Sequence, residues 1–382
     1  MINKTILHLT HTNVFKDIRV IKALDALSKK KEYKLIAFGI NLKDDLFENA
    51  TLDLISKETK VSIFEPFDLR NIFFPKIIKN IIKSLHLNIL FIIKGFHINP
   101  DLIHCHDSVV LPSAYVLQIV SKCKIIYDAH ELEAYRGGQD FFSSFIHLSL
   151  ERMIWSKVDG LITVSNSINE WYQRKLGKKP SIVILNTPKI FNTKKQPNKN
   201  YLKELFKIPK NNKVFIYLGA FVEGRSIRNI IKAFKEIETS NHVIFIGYGK
   251  LENLIRKNAS IHENIHYHPP LIFKDILSIS SSADYGLCLI EPVSLSDYYS
   301  LPNKLFEYIF SNLKIIGSNS PEIKLLINKY RLGVTSGFSK KEIINSIKKI
   351  LVSKDYIKKD FEQLTWNYQE KILKDFYKRL TS

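Results

Sequence analysis

The run Ser300-Leu301-Pro302-Asn303-Lys304-Leu305-Phe306-Glu307-Tyr308 holds residue types suited to binding a phosphate ester. Pro302 fits the first turn of a helix, where its missing N–H costs nothing, and the amides at such an end attract an anion. Lys304 in that turn runs against the dipole's preference for acidic residues, which points to an anionic partner. Glu307 stands one turn further along, and its carboxylate can accept a pair of hydrogen bonds from ribose hydroxyls. An exposed Lys304–Glu307 pair with no ligand is the plainer alternative. His130 follows the apolar run ending Tyr127-Asp128-Ala129, which places an imidazole at the carboxyl end of a strand, where α/β sites form. His106 and Asp107 close another strand, with structural and catalytic roles both open. His104 is expected buried, on the opposite face of that strand. Asp17 and Arg19 read either as a helix N-cap and a solvated charge or as groups near an acceptor. Glu291 and Asp297, in the loop before the 302–310 helix, are candidates for sugar hydroxyls or plain solvated loop residues.

These residues need elements to hold them. Short apolar runs bounded by turn residues alternate with helical periodicity, the pattern of a parallel sheet with crossover helices. Strands are predicted at Thr5–Leu9, Lys34–Gly39, Val61–Phe64, Leu102–Cys105, Lys124–Tyr127, Gly160–Val164 and Ile182–Leu185. A second series runs Val214–Gly219, His242–Gly247, Ile265–His268, Tyr285–Ile290, Lys314–Gly317 and Val334. The fold class is therefore α/β, with two Rossmann-like, doubly wound domains. The expected division is 1–187, a linker at 188–212 containing Pro188, Pro197 and Pro209, a second domain at 213–363, and a closing helix at 364–382.

The 301–308 run resembles the donor-site helix of glycosyltransferase family 4, nucleotide-sugar enzymes of the GT-B type. Asp17-Ile18-Arg19-Val20, Asp101-Leu102-Ile103-His104-Cys105-His106-Asp107 and Tyr127 to Leu132 resemble its first-domain segments, Asp17 with the opening strand–loop–helix and the other two with acceptor-side strands. Tyr217-Leu218-Gly219, Gly224-Arg225, Gly247-Tyr248-Gly249 and the closing Trp366 to Tyr377 helix complete the match in order. The resemblance implies two domains facing a cleft, with the last helix crossing back to the first. It also implies that Arg225 and Lys304 neutralise the donor pyrophosphate and that Gly219, Gly247, Gly249, Pro302, Asn303, Leu305 and Glu307 bind the donor. Asp17, Arg19, His106, Asp107, His130 and Glu131 fall on the acceptor side, with His130, Arg225 and Lys304 catalytic. Three departures stand out: Tyr299 replaces the first carboxylate of the E-x7-E pattern, His11-Thr12-Asn13-Val14-Phe15 stands where a glycine-rich loop would follow the first strand, and Gly224-Arg225-Ser226 stands where a lysine-glycine pair is common, with Arg225 taking over as the phosphate cation.

Composition narrows the classes. Three scattered cysteines, Cys105, Cys123 and Cys288, form neither a CxxC pair nor a disulfide framework, and no Asp-x-Asp occurs, so neither cofactor nor metal is expected. The N-terminus turns polar too early for a secretory signal, and the longest apolar run is about half the ~20 residues a spanning helix needs. The formal charge of +20 divides into +7 over residues 1–190 and +13 over 191–382, so no single patch holds it. Phe73–Phe96 carries Lys76, Lys79, Lys83 and Lys94 with no acidic residue and reads either as a helix lying on anionic lipid or as a core helix with snorkelling lysines. The expectation is a cytoplasmic, peripherally membrane-associated, metal-independent hexosyltransferase, retaining by family inference. It would move a sugar from a nucleotide-sugar donor to a glycan or polyprenyl-phosphate-linked acceptor in envelope polysaccharide assembly. A nucleotide-sugar epimerase or hydrolase is the alternative enzyme. A basic nucleic-acid-binding protein is the distant one, disfavoured because the few arginines are scattered and the aromatics sit in apolar contexts.

Overall fold

The computed structural model describes residues 4–30, 32–41, 56, 58–68, 73–190, 198–353 and 360–381. The chain divides into two compact units, Met1–Leu185 with Asn367–Ser382, and Asn186–Trp366. Each is built on a parallel sheet.

The first sheet contains β1 (Lys4–Thr10), β2 (Tyr33–Ile40), β3 (Lys60–Phe64), β4 (Leu102–His106), β5 (Lys124–Ala129), β6 (Gly160–Thr163) and β7 (Ser181–Val183) in the order β3-β2-β1-β4-β5-β6-β7. Its inner strands are buried on both faces, as sheets covered by helices on each side must be. The strand order reverses at β1 and β4, and crevices for ligands open at the carboxyl ends of strands at such a point.

The C-terminal helix Trp366–Thr381 is held within this unit by polar and apolar contacts. Glu370 pairs with Lys29 at 2.9 Å, and the backbone N–H of Leu185 donates to Gln369 at 3.0 Å. Gly160 has no side chain, and a Cβ there would meet Leu380 and Phe376 at 2.6 and 2.7 Å. The helix therefore rests directly on β6.

The second sheet contains β8 (Lys213–Leu218), β9 (Asn241–Ile246), β10 (Ile265–His268), β11 (Tyr285–Cys288), β12 (Lys314–Ser318) and β13 (Gly333–Ser336), ordered β10-β9-β8-β11-β12-β13. Its reversal falls between β8 and β11. Phe215, Tyr217, Phe234, Phe245 and Leu287 are among the residues that fill the core.

The segment expected as a linker is not wholly a free connection. Tyr201–Leu205 forms a short helix whose Leu202 is buried, and Ile208 is buried beyond it, so apolar packing draws this stretch into the second unit. Residues 191–197, with Pro197, lie outside the described residues. The side chain of Lys76 does too.

Helix Lys76–Phe96 has one side in the core and apolar residues on the other. Leu87 and Phe91 are buried, while Leu85, Ile89, Ile93 and Phe96 are each more than half exposed. Among the described residues no helix is long and apolar enough to cross a membrane.

Candidate functional site

In the first unit, strand register gathers polar groups that lie far apart in the chain. His8 is in register with His104, Thr10 with His106, and His106 with Asp128. With the two-residue period of a strand, His8, His104, His106 and Asp128 share one face at the switch point. The opposite-face reading of His104 is thus corrected: its ring stacks on His106 with centroids 4.1 Å apart, as residues two apart on a strand allow. It is buried, as expected.

The cluster is closely hydrogen-bonded. His8 Nδ1 lies 3.2 Å from His106 Nε2, and His106 Nδ1 lies 3.2 Å from His130 Nε2. His104 contacts Asp128 Oδ2 at 3.3 Å through Nε2 and the Tyr377 hydroxyl through Nδ1. Arg19 grips Asp128, with Nε donating to both carboxylate oxygens at 3.0 and 3.1 Å, and its Nη1 donates to the Ile184 carbonyl at 3.0 Å. Burial would raise the Asp128 carboxyl, but the Arg19 guanidinium and the His104 hydrogen bond hold it well below the usual carboxylate range. Burial also lowers His8, His104 and His106, which are neutral at pH 7.

His130, just past β5, stands at the rim of this group with 15% of its side chain exposed. Its backbone N–H donates to Asp107 Oδ1 at 3.3 Å, and its Nδ1 lies 3.6 Å from Asp107 Oδ2. Asp107 itself has φ +68°, a conformation that costs a non-glycine residue energy and gathers at functional sites. Burial pushes its carboxyl up, and His130, His11 and Arg136 together bring it below its ordinary value.

The remaining acceptor-side candidates have structural partners. Asp17 caps helix Ile18–Ser28, accepting from the Arg19 and Val20 amides, and also accepts the Thr12 hydroxyl at 2.9 Å. Arg19 is buried and ion-paired, not a solvated charge. Glu131 is 40% exposed and pairs with Arg136 at 3.0 Å. Sequence reasoning passed over Glu133, which is sealed from solvent and whose carboxyl is raised well above its usual value by burial and by Asp107, with Arg136 acting against them. It also gave no role to Asp128 or His8. The available signal was charge inside apolar strands.

In the second unit, helix Asn303–Phe310 begins after Pro302. Tyr308 fastens it: the Leu218 N–H donates to its hydroxyl at 2.9 Å, and the ring lies over Gly286, where a Cβ would be 2.4 Å away. This anchoring sets Lys304 beside Gly219 at the end of β8. The Lys304 ammonium lies 3.6 Å from the Tyr217 ring centroid, a cation–π contact, and among the described residues it has no carboxylate at ion-pair distance. Burial draws it down to about 8, with Arg225 adding to the effect against Cys288 and Glu307.

Arg225 is paired with Asp297 at 2.9 Å, and the Ser226 hydroxyl donates to Glu291 at 2.8 Å, which ties the 224–226 loop to the 291–297 loop. Asp297 is buried and accepts the Ser294 hydroxyl, so it is no solvated loop residue. Leu305 is fully buried among apolar groups, and only its backbone could meet a donor. Asn303 is exposed. Gly247 has φ +148°, and a Cβ there would stand 2.1 Å from the Gly219 carbonyl oxygen, so the loops after β8 and β9 can touch only with glycine. Glu307 is half-buried on the wall of a cavity of about 190 Å³ that also meets Lys189, Phe273, Lys274 and Phe310. That is smaller than the ~300 Å³ of a typical ligand site, room for only part of a nucleotide sugar.

Residues 45–187 match the family model described as Glycosyltransferase Family 4. That stretch of the chain is similar to a glycosyltransferase family 4 domain. No curated protein matches it. Among solved structures it is similar to sucrose-phosphate synthase from Thermosynechococcus elongatus, with TM-score 0.76, 13% identity and 99% of each chain covered. HepE from Anabaena in complex with UDP-glucose matches with TM-score 0.69 and 12% identity over 99% of this chain and 96% of that one. A glycosyltransferase from Rickettsia africae matches with TM-score 0.64 and 14% identity over 99% and 96%. At such identities the likeness is one of fold, the two-sheet GT-B architecture described above. The histidine cluster, through His104, His106, Asp128 and His130, lies inside the stretch matched to family 4.

Proposed function

We propose that the protein transfers a sugar from a nucleotide-sugar donor to a glycan or polyprenyl-phosphate-linked acceptor, with retention of anomeric configuration. The observation that carries this reading is Lys304, a partly buried ammonium at the start of a helix, facing an aromatic ring and, among the described residues, no carboxylate at ion-pair distance. An unneutralised cation beside helix amides is arranged for a diphosphate. As the glycosidic bond breaks, charge builds on the leaving phosphate, and Lys304, Arg225 and the first-turn amides stabilise it without metal. Glu307 takes the ribose. His130 contacts the transferred sugar or orients the acceptor hydroxyl, with Asp107 fixing its ring. The structural similarity to HepE holding UDP-glucose favours a uridine nucleotide.

The test is a thermal-shift screen against UDP, GDP, dTDP and CMP sugars. A donor at about 100 times its Kd adds ~2.7 kcal/mol of stability. Protection by one nucleotide, lost in Glu307→Ala, is the expected result, whereas no protection by any of them would sink the enzyme reading. Donor protection with turnover in the absence of any acceptor would favour the epimerase or hydrolase alternative.

The acceptor reading includes a membrane. Leu85, Ile89 and Ile93 of helix Lys76–Phe96 are exposed, as are Ile119 and Val120 of helix Leu111–Ser121, which packs against it, and Lys94 and Lys122 on these elements are exposed too. Such a surface suits the headgroup region of an anionic, cytoplasm-facing leaflet, where envelope polysaccharide precursors are assembled. Co-sedimentation with phosphatidylglycerol vesicles is expected for the wild type and is expected to be lost in the Leu85→Asp/Ile89→Asp/Ile93→Asp variant. Equal sedimentation of both proteins would contradict the membrane reading.

A further inference from the structure

Three side-chain atoms at the centre of the first-unit cluster form a nearly regular triangle. His106 Nδ1 and His130 Nε2 are 3.2 Å apart, and Asp128 Oδ2 lies 3.6 Å from the first and 3.7 Å from the second. The point equidistant from all three is about 2.0 Å from each, which matches the 2.0–2.2 Å of zinc–nitrogen and zinc–carboxylate bonds. The surroundings fit as well. The other ring nitrogen of His106 lies 3.2 Å from His8 Nδ1, and that of His130 faces the Asp107 carboxylate at 3.6 Å. Metal-ligating histidines characteristically have their far nitrogen engaged in this way, which fixes tautomer and ring orientation. Arg19 and His104 hold Asp128 in place. Two imidazoles and one carboxylate leave at least one coordination position open, and the partial exposure of His130 gives an entry path.

We propose that His106, Asp128 and His130 form a binding site for a divalent transition metal of the zinc type, whose occupation withdraws His130 from sugar transfer. The second half rests on the role given to His130 above. A metal here takes the Nε2 lone pair of His130, so bound metal and a His130 free to meet substrate exclude one another. The metal is thus an inhibitor, and the donor-diphosphate chemistry in the second unit proceeds without it. A neighbouring set, His8, His104 and His106, shares one ligand but is wholly buried and lacks a carboxylate.

Calorimetric titration of the chelator-treated full chain with zinc chloride tests the site. One equivalent is expected to bind the wild type, with affinity at least tenfold weaker in His130→Ala. That variant sits at the rim, so its melting temperature should stay near that of the wild type, which keeps the test valid if His106→Gln fails to fold. His11→Ala, next to the cluster but outside the triangle, should bind zinc as the wild type does. A wild type that binds no zinc, or a His130→Ala that binds it equally well, overturns the proposal. Zinc is also expected to suppress transfer and a chelator to restore it, while bound zinc with unchanged transfer would overturn the claim that His130 is withdrawn. Nucleotide protection reads the second unit, so a chain that binds zinc but no nucleotide loses the functional reading and keeps the metal site.

Discussion

Replacing Lys304 with alanine is expected to lower sugar transfer by about 10²–10³-fold, the ~2.7–4 kcal/mol typical of removing one preorganised group that stabilises charge in the transition state. The structure gives this residue no competing employment. Its ammonium rests over Tyr217 beside Gly219 with no carboxylate at pairing distance among the described residues, whereas Arg225 shares its charge with Asp297. Its pH behaviour separates it from a surface lysine. With the ammonium titrating at about 8 in the folded chain, kcat/KM is expected to fall as the pH rises through that value. Lys304→Arg should move the fall upward, because a guanidinium keeps its charge above pH 12. Stability runs the opposite way. Between about 8 and the unfolded value of ~10.4 the unfolded chain binds the extra proton, so Lys304 makes the fold more stable as pH climbs through this window.

The largest effect on stability is expected at Asp128. Its carboxylate is buried, takes the Arg19 fork and accepts from His104, so Asp128→Ala leaves a buried guanidinium uncompensated. Breaking such a pair costs about 3–5 kcal/mol, which for a unit of this size lowers Tm by roughly 10 °C. Trp155 and Trp171 lie in the first unit and report its urea unfolding by fluorescence. The Arg19→Leu/Asp128→Leu double variant should lose less than Asp128→Ala, since no charge is stranded. Because the folded carboxyl is held well below its ordinary value, its contribution is fully present above the unfolded value of ~3.9 and is lost as pH falls below that. The acid limb of the stability curve should therefore flatten in Asp128→Asn.

Much of this architecture was legible because parallel strands buried on both faces announce themselves as apolar runs, and every strand of both sheets lies on a run read as one. The motif around Lys304 was legible for a local reason, a proline followed by a lysine where a helix start favours acid. What could not be read was the histidine cluster. His8, His104 and Asp128 meet only because β1, β4 and β5 are neighbours in a particular register, and strand order is a non-local property that no window of sequence contains. For the same reason the sequence leaves Arg19 open between a solvated charge and a group near an acceptor, since its partner lies 109 residues away. The glycines at 247 and 249 carry a constraint besides the expected donor contact, because backbone crosses on backbone there, against a loop more than twenty residues earlier.

Proton uptake on donor binding tests the central claim most directly. A nucleotide sugar carries no group that titrates near pH 8, and its diphosphate beside Lys304 will draw the ammonium back to its charged form. Calorimetry at pH 8 in buffers of different ionisation enthalpy should then show uptake of about half a proton per donor bound, because the free lysine is half protonated there. In Lys304→Met the uptake should vanish and binding should weaken at least tenfold. Donor binding with the same affinity and the same proton uptake in both proteins would contradict the account.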